Sequence, residues 1–126
     1  MVLDTSVLLA IYFNEPMGLW ALDQIERANE PLLMSTVNLT ETLILLRDKN
    51  KSGFVKLRER LFQEPIQFVA PSISQAQIAA EARLKFPINL GDCFAYALAN
   101  ENKEVLITLD EDFIKTDIKV LMPIRK

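Results

Sequence analysis

Residues 31–50 read PLLMSTVNLTETLILLRDKN, and their order decides the fold. Pro31 closes what precedes it, Leu32–Met34 is a short apolar strand, and Ser35 and Thr36 are good helix caps. From Val37 to Asn50 the pattern predicts a helix. Its middle, LTETLILL, is apolar on most sides and is expected to be central. A strand passing straight into a helix is half of a β-α-β unit, and the alternation recurs in both directions. Upstream, Met1–Leu3 predicts a strand, and the remainder of MVLDTSVLLAIYF reads as buried strand running into a turn. Pro16–Asn29 carries Leu19, Trp20, Leu22 and Ile25 as an apolar stripe, with Pro16 suited to a first turn.

Downstream, Ser52 and Gly53 break the helix before a more polar one over Phe54–Gln63, and Pro65–Val69 predicts a strand. Ser74 with Gln77 predicts a capping box for a helix through Leu84. Pro87 and Gly91 flank a loop before a helix over Asp92–Asn102. Then come a strand over Val105–Thr108, a helical turn over Asp110–Lys115 and a last strand over Ile118–Met122. This alternation predicts an α/β protein: a single-domain α/β/α sandwich over residues 1–126 with a mostly parallel sheet.

Composition narrows the chemistry. At 126 residues and 50% hydrophobic content, the chain suits one domain with a real core. Its formal net charge of -3 excludes a generic polycation, so nucleic-acid binding would need a local patch. There is no histidine, which removes Ser-His-Asp and Cys-His catalysis and histidine-ligated zinc together. Cys93 is the only cysteine and is expected as a small core residue, with no internal disulfide possible. The N-terminus lacks the basic start of a signal peptide, and no apolar stretch reaches the roughly 18 residues that span a bilayer. The expectation is a cytoplasmic protein with no membrane partner.

The acids are informative by position. Asp4 is the only charged residue among the first fourteen, and Glu41 the only one between Pro31 and Leu46. Asp92 is alone between Phe86 and Asn100, and Asp110 directly follows the uncharged VLITL. An isolated carboxylate in an apolar stretch is costly to bury unless a partner or a metal offsets the desolvation. Open parallel sheets build their sites beyond the carboxyl ends of the strands, where Asp4 and Asp110 are expected. Converging carboxylates suit a hard cation such as Mg²⁺ or Mn²⁺, and carboxylate-held ions promote phosphodiester cleavage. Other readings stand beside this one. Asp4, Asp92 (after Gly91) and Asp110 could each be a cap, and Glu41, which has no capping role, could form a salt bridge.

Four motifs, VLDTSVLLA, TVNLTETL, NLGDCFAYALA and LITLDEDF, occur in an order and at separations that resemble PIN-domain nucleases. The likeness is in particular to the VapC-type toxins of bacterial and archaeal toxin–antitoxin modules, and it spans essentially the whole chain. It implies a metal-dependent endoribonuclease acting on RNA, with Asp4, Glu41, Asp92 and Asp110 as catalytic residues and ligands of Mg²⁺ (or Mn²⁺). It also implies a small antitoxin that blocks the site, and a homodimer. In the last motif Asp110, closest to the strand end, is favoured as the fourth acid, with Asp112 as an outer residue that could share or take the role. Ser6 resembles the family's hydroxyl beside the first aspartate, and Thr108 could hold Asp110 or a phosphate oxygen. Thr5 has an alternative reading as a helix cap.

From Arg47 to Arg60 six basic residues (Arg47, Lys49, Lys51, Lys56, Arg58, Arg60) stand against two acids, Asp48 and Glu59. They read either as a solvated helical hairpin or as RNA contacts rimming an acidic pocket. Lys115, Lys119, Arg125 and Lys126 are a weaker second group. Tyr12, Phe13 and Trp20 read as core packing, with a partner surface as the alternative. Two other functions compete. A non-catalytic RNA- or protein-binding PIN-like module would show aromatic platforms among its basic residues, and only Phe54 is there. Another Mg-dependent phosphoryl-transfer enzyme, of phosphatase or receiver type, would need further acids near the first strand, where Ser6 stands, and no Gly-rich phosphate loop is present.

Overall fold

The structure, a computed structural model, describes residues 1–124; Arg125 and Lys126 lie outside the described residues. Five strands, β1 (Val2–Leu3), β2 (Leu32–Ser35), β3 (Ile66–Val69), β4 (Leu106–Ile107) and β5 (Val120–Leu121), form one sheet in the order β3-β2-β1-β4-β5. Every neighbouring pair is parallel, with Val2 opposite both Leu33 and Leu106 and Leu106 opposite Val120. The crossovers are made by α1 (Thr5–Tyr12), α2 (Gly18–Ala28), α3 (Thr36–Lys49), α4 (Phe54–Gln63), α5 (Ile73–Lys85) and α6 (Leu90–Asn102). A 3₁₀ turn, Glu111–Lys115, joins β4 to β5.

The pleat explains the layers. Successive strand side chains point to opposite faces, so Val2 and Leu106 join one core and Leu3 and Ile107 the other. The first core is closed by α5 and α6, which pack on each other and bury Ala79, Ala82, Ala95, Ala97 and Ala99. The second collects Val7, Leu8, Tyr12, Ala21, Met34, Leu46 and Leu61. Phe13 and Trp20 pack against this second core and Cys93 is buried in the first. The α/β/α sandwich is therefore the observed architecture. Among the described residues no helix is long and apolar enough to cross a membrane.

Five local readings are corrected. Residues 5–12 form α1 where the sequence read as strand and turn. Asp4 is extended, its side chain accepts from the Val7 N–H, and that cap starts a helix in an apolar run with no alternation to oppose it. The middle of α3 is not enclosed on all sides: Ile44 is 55% and Leu45 37% exposed, while Asn38, Thr42 and Leu46 form the buried stripe. Polar residues are tolerated there because Thr42 Oγ1 donates to the Asn38 carbonyl at 2.8 Å and the Asn38 amide is also bonded. The α5 cap is Ser72, accepting from the Gln75 N–H, and not Ser74. Helix α6 begins at Leu90 under an Asn89 cap that accepts from the Asp92 N–H at 2.8 Å, so Asp92 is no cap. Helix α2 starts at Gly18, two residues beyond Pro16, where α1 comes so near that an added Cβ would lie 2.5 Å from the Ala10 carbonyl oxygen.

Candidate active site

Strands β1 and β4 are neighbours at the centre of the sheet, yet β1 leads on toward β2 and β3 while β4 leads toward β5. The direction of winding reverses there, which opens a crevice beyond the carboxyl ends of the two strands. Asp4 leaves β1 into that crevice and is 3% exposed. Its Oδ1 accepts from Ser6 Oγ at 2.7 Å and from the Val7 N–H at 3.3 Å, and its Oδ2 from Thr108 Oγ1 at 2.5 Å. The same two hydroxyls tie down the β4 end. Thr108 Oγ1 accepts from the Asp110 N–H at 2.9 Å, and Ser6 Oγ from the Leu109 N–H at 3.0 Å. Ser6 and Thr108 thus bolt the first acid to the loop carrying Asp110.

Helix α3 starts where β2 ends and brings Glu41 to the same edge in its second turn. Glu41 Oε1 accepts from Asn38 Nδ2 at 2.9 Å and from Thr5 Oγ1 at 3.3 Å. Asp92 stands in the first turn of α6. Its carboxyl is pushed up to about 7, chiefly by burial, then by the charges of Asp110 and Asp4 and, less, of Glu41; the Asn89 backbone N–H pulls the other way. Asp4 is pushed up to about 6 by burial and by Asp110, against the bonds from Thr108, Ser6 and Val7. Four carboxylates from four elements therefore act on one another in one crevice.

Among the described residues none of the four is in an ion pair. Nor, among those residues, do three acid, cysteine or histidine side chains close on a single point at ligating distance. The acids share a field rather than a contact, since each is held by its own local bonds and repels the others. Among the described residues the donor set is carboxylate and hydroxyl oxygen only, with the one thiol buried in a core, and no positive charge acts on Asp92. That chemistry fits a hard divalent cation.

The chain matches the family described as PIN domain over residues 1–119. It belongs to the PIN-domain family. Among curated relatives, Ribonuclease VapC30 of Mycobacterium tuberculosis is 33% identical over 129 residues, covering 94% of this chain and 95% of that one. The crystal structure of VapBC2 from Rickettsia felis, bound to a DNA fragment from their promoter, has the same fold at a TM-score of 0.77 and 15% identity, covering 96% of each chain. A toxin–antitoxin complex from Klebsiella pneumoniae follows at a TM-score of 0.69 and 21% identity, covering 89% of this chain and 88% of that one.

Within this PIN domain the structure brings together Asp4, Glu41, Asp92 and Asp110 with Ser6 and Thr108. Asp110 serves the crevice and also caps the 3₁₀ turn, its Oδ1 accepting from the Asp112 N–H at 2.9 Å. Asp112 itself is exposed and is not among the charges that shift Asp4 or Asp92. The basic residues are not drawn to the acids. Arg47 and Lys49 sit in the last turn of α3, about 9 and 12 Å along the axis from Glu41. Lys49 lies over the Phe13 ring at 5.0 Å and 3.8 Å from Glu15. Arg58 covers Phe54 at 5.5 Å, and Arg60 covers Tyr12 at 4.6 Å while reaching Glu64 at 3.6 Å. Arg47, Lys51, Lys56, Lys115 and Lys119 are exposed. Sequence reasoning missed Asn38. Its spacing of three before Glu41 on a helix was the available signal.

Proposed function

We propose that this PIN domain is a divalent-metal-dependent endoribonuclease and the toxin of a toxin–antitoxin pair. The observation that carries the reading is the electrostatic coupling of Asp92 to Asp110, Asp4 and Glu41 at the switch point of the sheet. Relatives named as VapC ribonucleases support RNA as the substrate. A neighbour described as a toxin–antitoxin complex supports the antitoxin partner. Asp4, Asp92 and Asp110, with Glu41, would hold Mg²⁺ or Mn²⁺. When bound, such an ion polarises a phosphate oxygen and lowers the pKa of water near it.

The chain's own residues have separable tasks. Ser6 and Thr108 orient Asp4 and, through Thr108, the backbone of Asp110. Glu41 uses Oε1 for its bonds from Asn38 and Thr5, which leaves Oε2 to orient water or accept its proton. With no histidine in the chain, carboxylates carry the proton transfer. The six basic residues between Arg47 and Arg60 would contact RNA beyond the cleaved phosphate, since they stand away from the acids. A homodimer fits the apolar Ile44 and Leu45 left exposed on α3. Messenger, ribosomal or transfer RNA as target would place the protein in the cytoplasm.

Cleavage of total cellular RNA by the purified, antitoxin-free protein tests this reading. Discrete cuts with Mg²⁺ or Mn²⁺, lost with EDTA and lost in Asp92→Asn, are expected. Cleavage that survives EDTA or the substitution would refute it.

A further inference from the structure

Two features beside Glu41 are not explained by the acid set. Asn38 is 1% exposed, and its Nδ2 donates both to Glu41 Oε1 at 2.9 Å and to the Gly91 carbonyl at 3.0 Å. Among the described residues its Oδ1 is buried with no partner. Turning the amide over would set that oxygen against two acceptors, so the orientation is fixed by chemistry. An orphaned buried carbonyl oxygen is costly and is retained only where the rest of the group does something useful. Here the amide reaches across from α3 to α6, joining the element that carries Glu41 to the residue just before Asp92. The second feature is Gly91 itself. A Cβ built there would lie 2.3 Å from Glu41 Oε2 and within 2.5 Å of the other carboxyl atoms. The Glu41 carboxylate therefore rests on the bare backbone of Gly91.

We propose that Asn38 and Gly91 are the positioning pair for Glu41: the Asn38 amide clamps its carboxylate to the first turn of α6, and the absent Gly91 side chain leaves the seat it occupies. This inference rests on the ion-holding reading of the acid set and adds how one acid is placed against another. Both residues act through Glu41 and neither is itself a ligand.

The seat gives a test in which stability and function part company. At Gly91→Ala the three atoms nearest the new methyl are all at the far end of the flexible Glu41 side chain, so the fold yields by swinging Glu41 away. An alanine in the first turn of a helix also costs less than glycine. The variant is therefore expected to melt at or above the wild-type temperature while Mn²⁺ affinity, read by calorimetry, falls about 10- to 100-fold, the range for losing one charged hydrogen-bonded contact. Asn38→Ala is expected to show a similar loss of affinity with lowered stability. In a Glu41→Gln background, neither substitution should weaken Mn²⁺ binding further.

Unchanged affinity in Gly91→Ala, or an equal further loss in the Glu41→Gln background, would overturn the positioning pair alone. Wild-type protein that takes up no Mn²⁺ would overturn the ion-holding reading, and this inference with it.

Discussion

Removing one charge from a crowd of four should strengthen the fold. Asp92 ionises near 7 in place of 3.8, a difference of about three units, worth ~4 kcal/mol at 1.36 kcal/mol per unit for a fully enclosed group. Asp92 is partly open to solvent, and screening reduces that figure to about 1–2 kcal/mol. The direction follows from proton counts. A carboxyl harder to ionise in the folded than in the unfolded chain keeps its proton longer when folded. Its contribution to stability is complete below about pH 4 and is lost as pH rises to about 7, with little change beyond. Asp92→Asn removes this loss and can keep an acceptor for the Asn89 N–H. In EDTA at pH 8 the variant should melt about 4–8 °C above wild type, taking about 4 °C per kcal/mol for a domain of this size. At pH 4.5 the gap should shrink to a small fraction of that. Thermal melts followed by circular dichroism across pH 4.5–8.5 make the comparison. A gap of equal size at both ends of the range, or a variant less stable at pH 8, would refute the reasoning.

Three further outcomes follow from the same structure. Mn²⁺ affinity should rise steeply between about pH 5 and 7, because Asp4 near 6 and Asp92 near 7 must lose their protons to bind a cation; calorimetry in buffers of different ionisation heat would also register the released protons. Thr108→Val removes the donor to Asp4 and the acceptor for the Asp110 N–H, and should lower RNA cleavage at least about tenfold in a gel assay while the far-ultraviolet spectrum stays unchanged. Ser72→Ala should cost about 1 kcal/mol in a urea titration, whereas Ser74→Ala, one residue inside α5, should cost little.

The sequence already contained the alternation that makes this sandwich, and α4 falls on Phe54–Gln63 as the pattern predicts. What escaped was local competition between near-equal signals. Ser72 and Ser74 are both good caps, and the choice between them depends on where β3 releases the chain. In VLLAIY an unbroken apolar run fits a buried strand and a buried helix alike, and the Asp4–Val7 bond decides for the helix. The four acids were legible because burying an isolated charge is costly, so their solitude in apolar stretches marked them. Their capping alternative was partly true as well, since Asp4 and Asp110 cap α1 and the 3₁₀ turn. Asn38 was hidden because it is one of several uncharged polar residues early in α3, beside Thr36, Thr40 and Thr42, and its partner Gly91 lies on another helix. The basic run, which read either as a solvated hairpin or as RNA contacts rimming the pocket, lies away from the crevice, because α3 carries Arg47 and Lys49 away from Glu41.

The central claim is that Asp4, Asp92, Asp110 and Glu41 make one cation site at the β1–β4 switch point. Crystals soaked in Mn²⁺ test it most directly, by anomalous scattering at the manganese edge. The account predicts a peak in the crevice with carboxylate oxygens of Asp4, Asp92 and Asp110 as ligands, and no such peak in Asp92→Asn. An ion bound elsewhere on the domain, or none at that edge of the sheet, would contradict it.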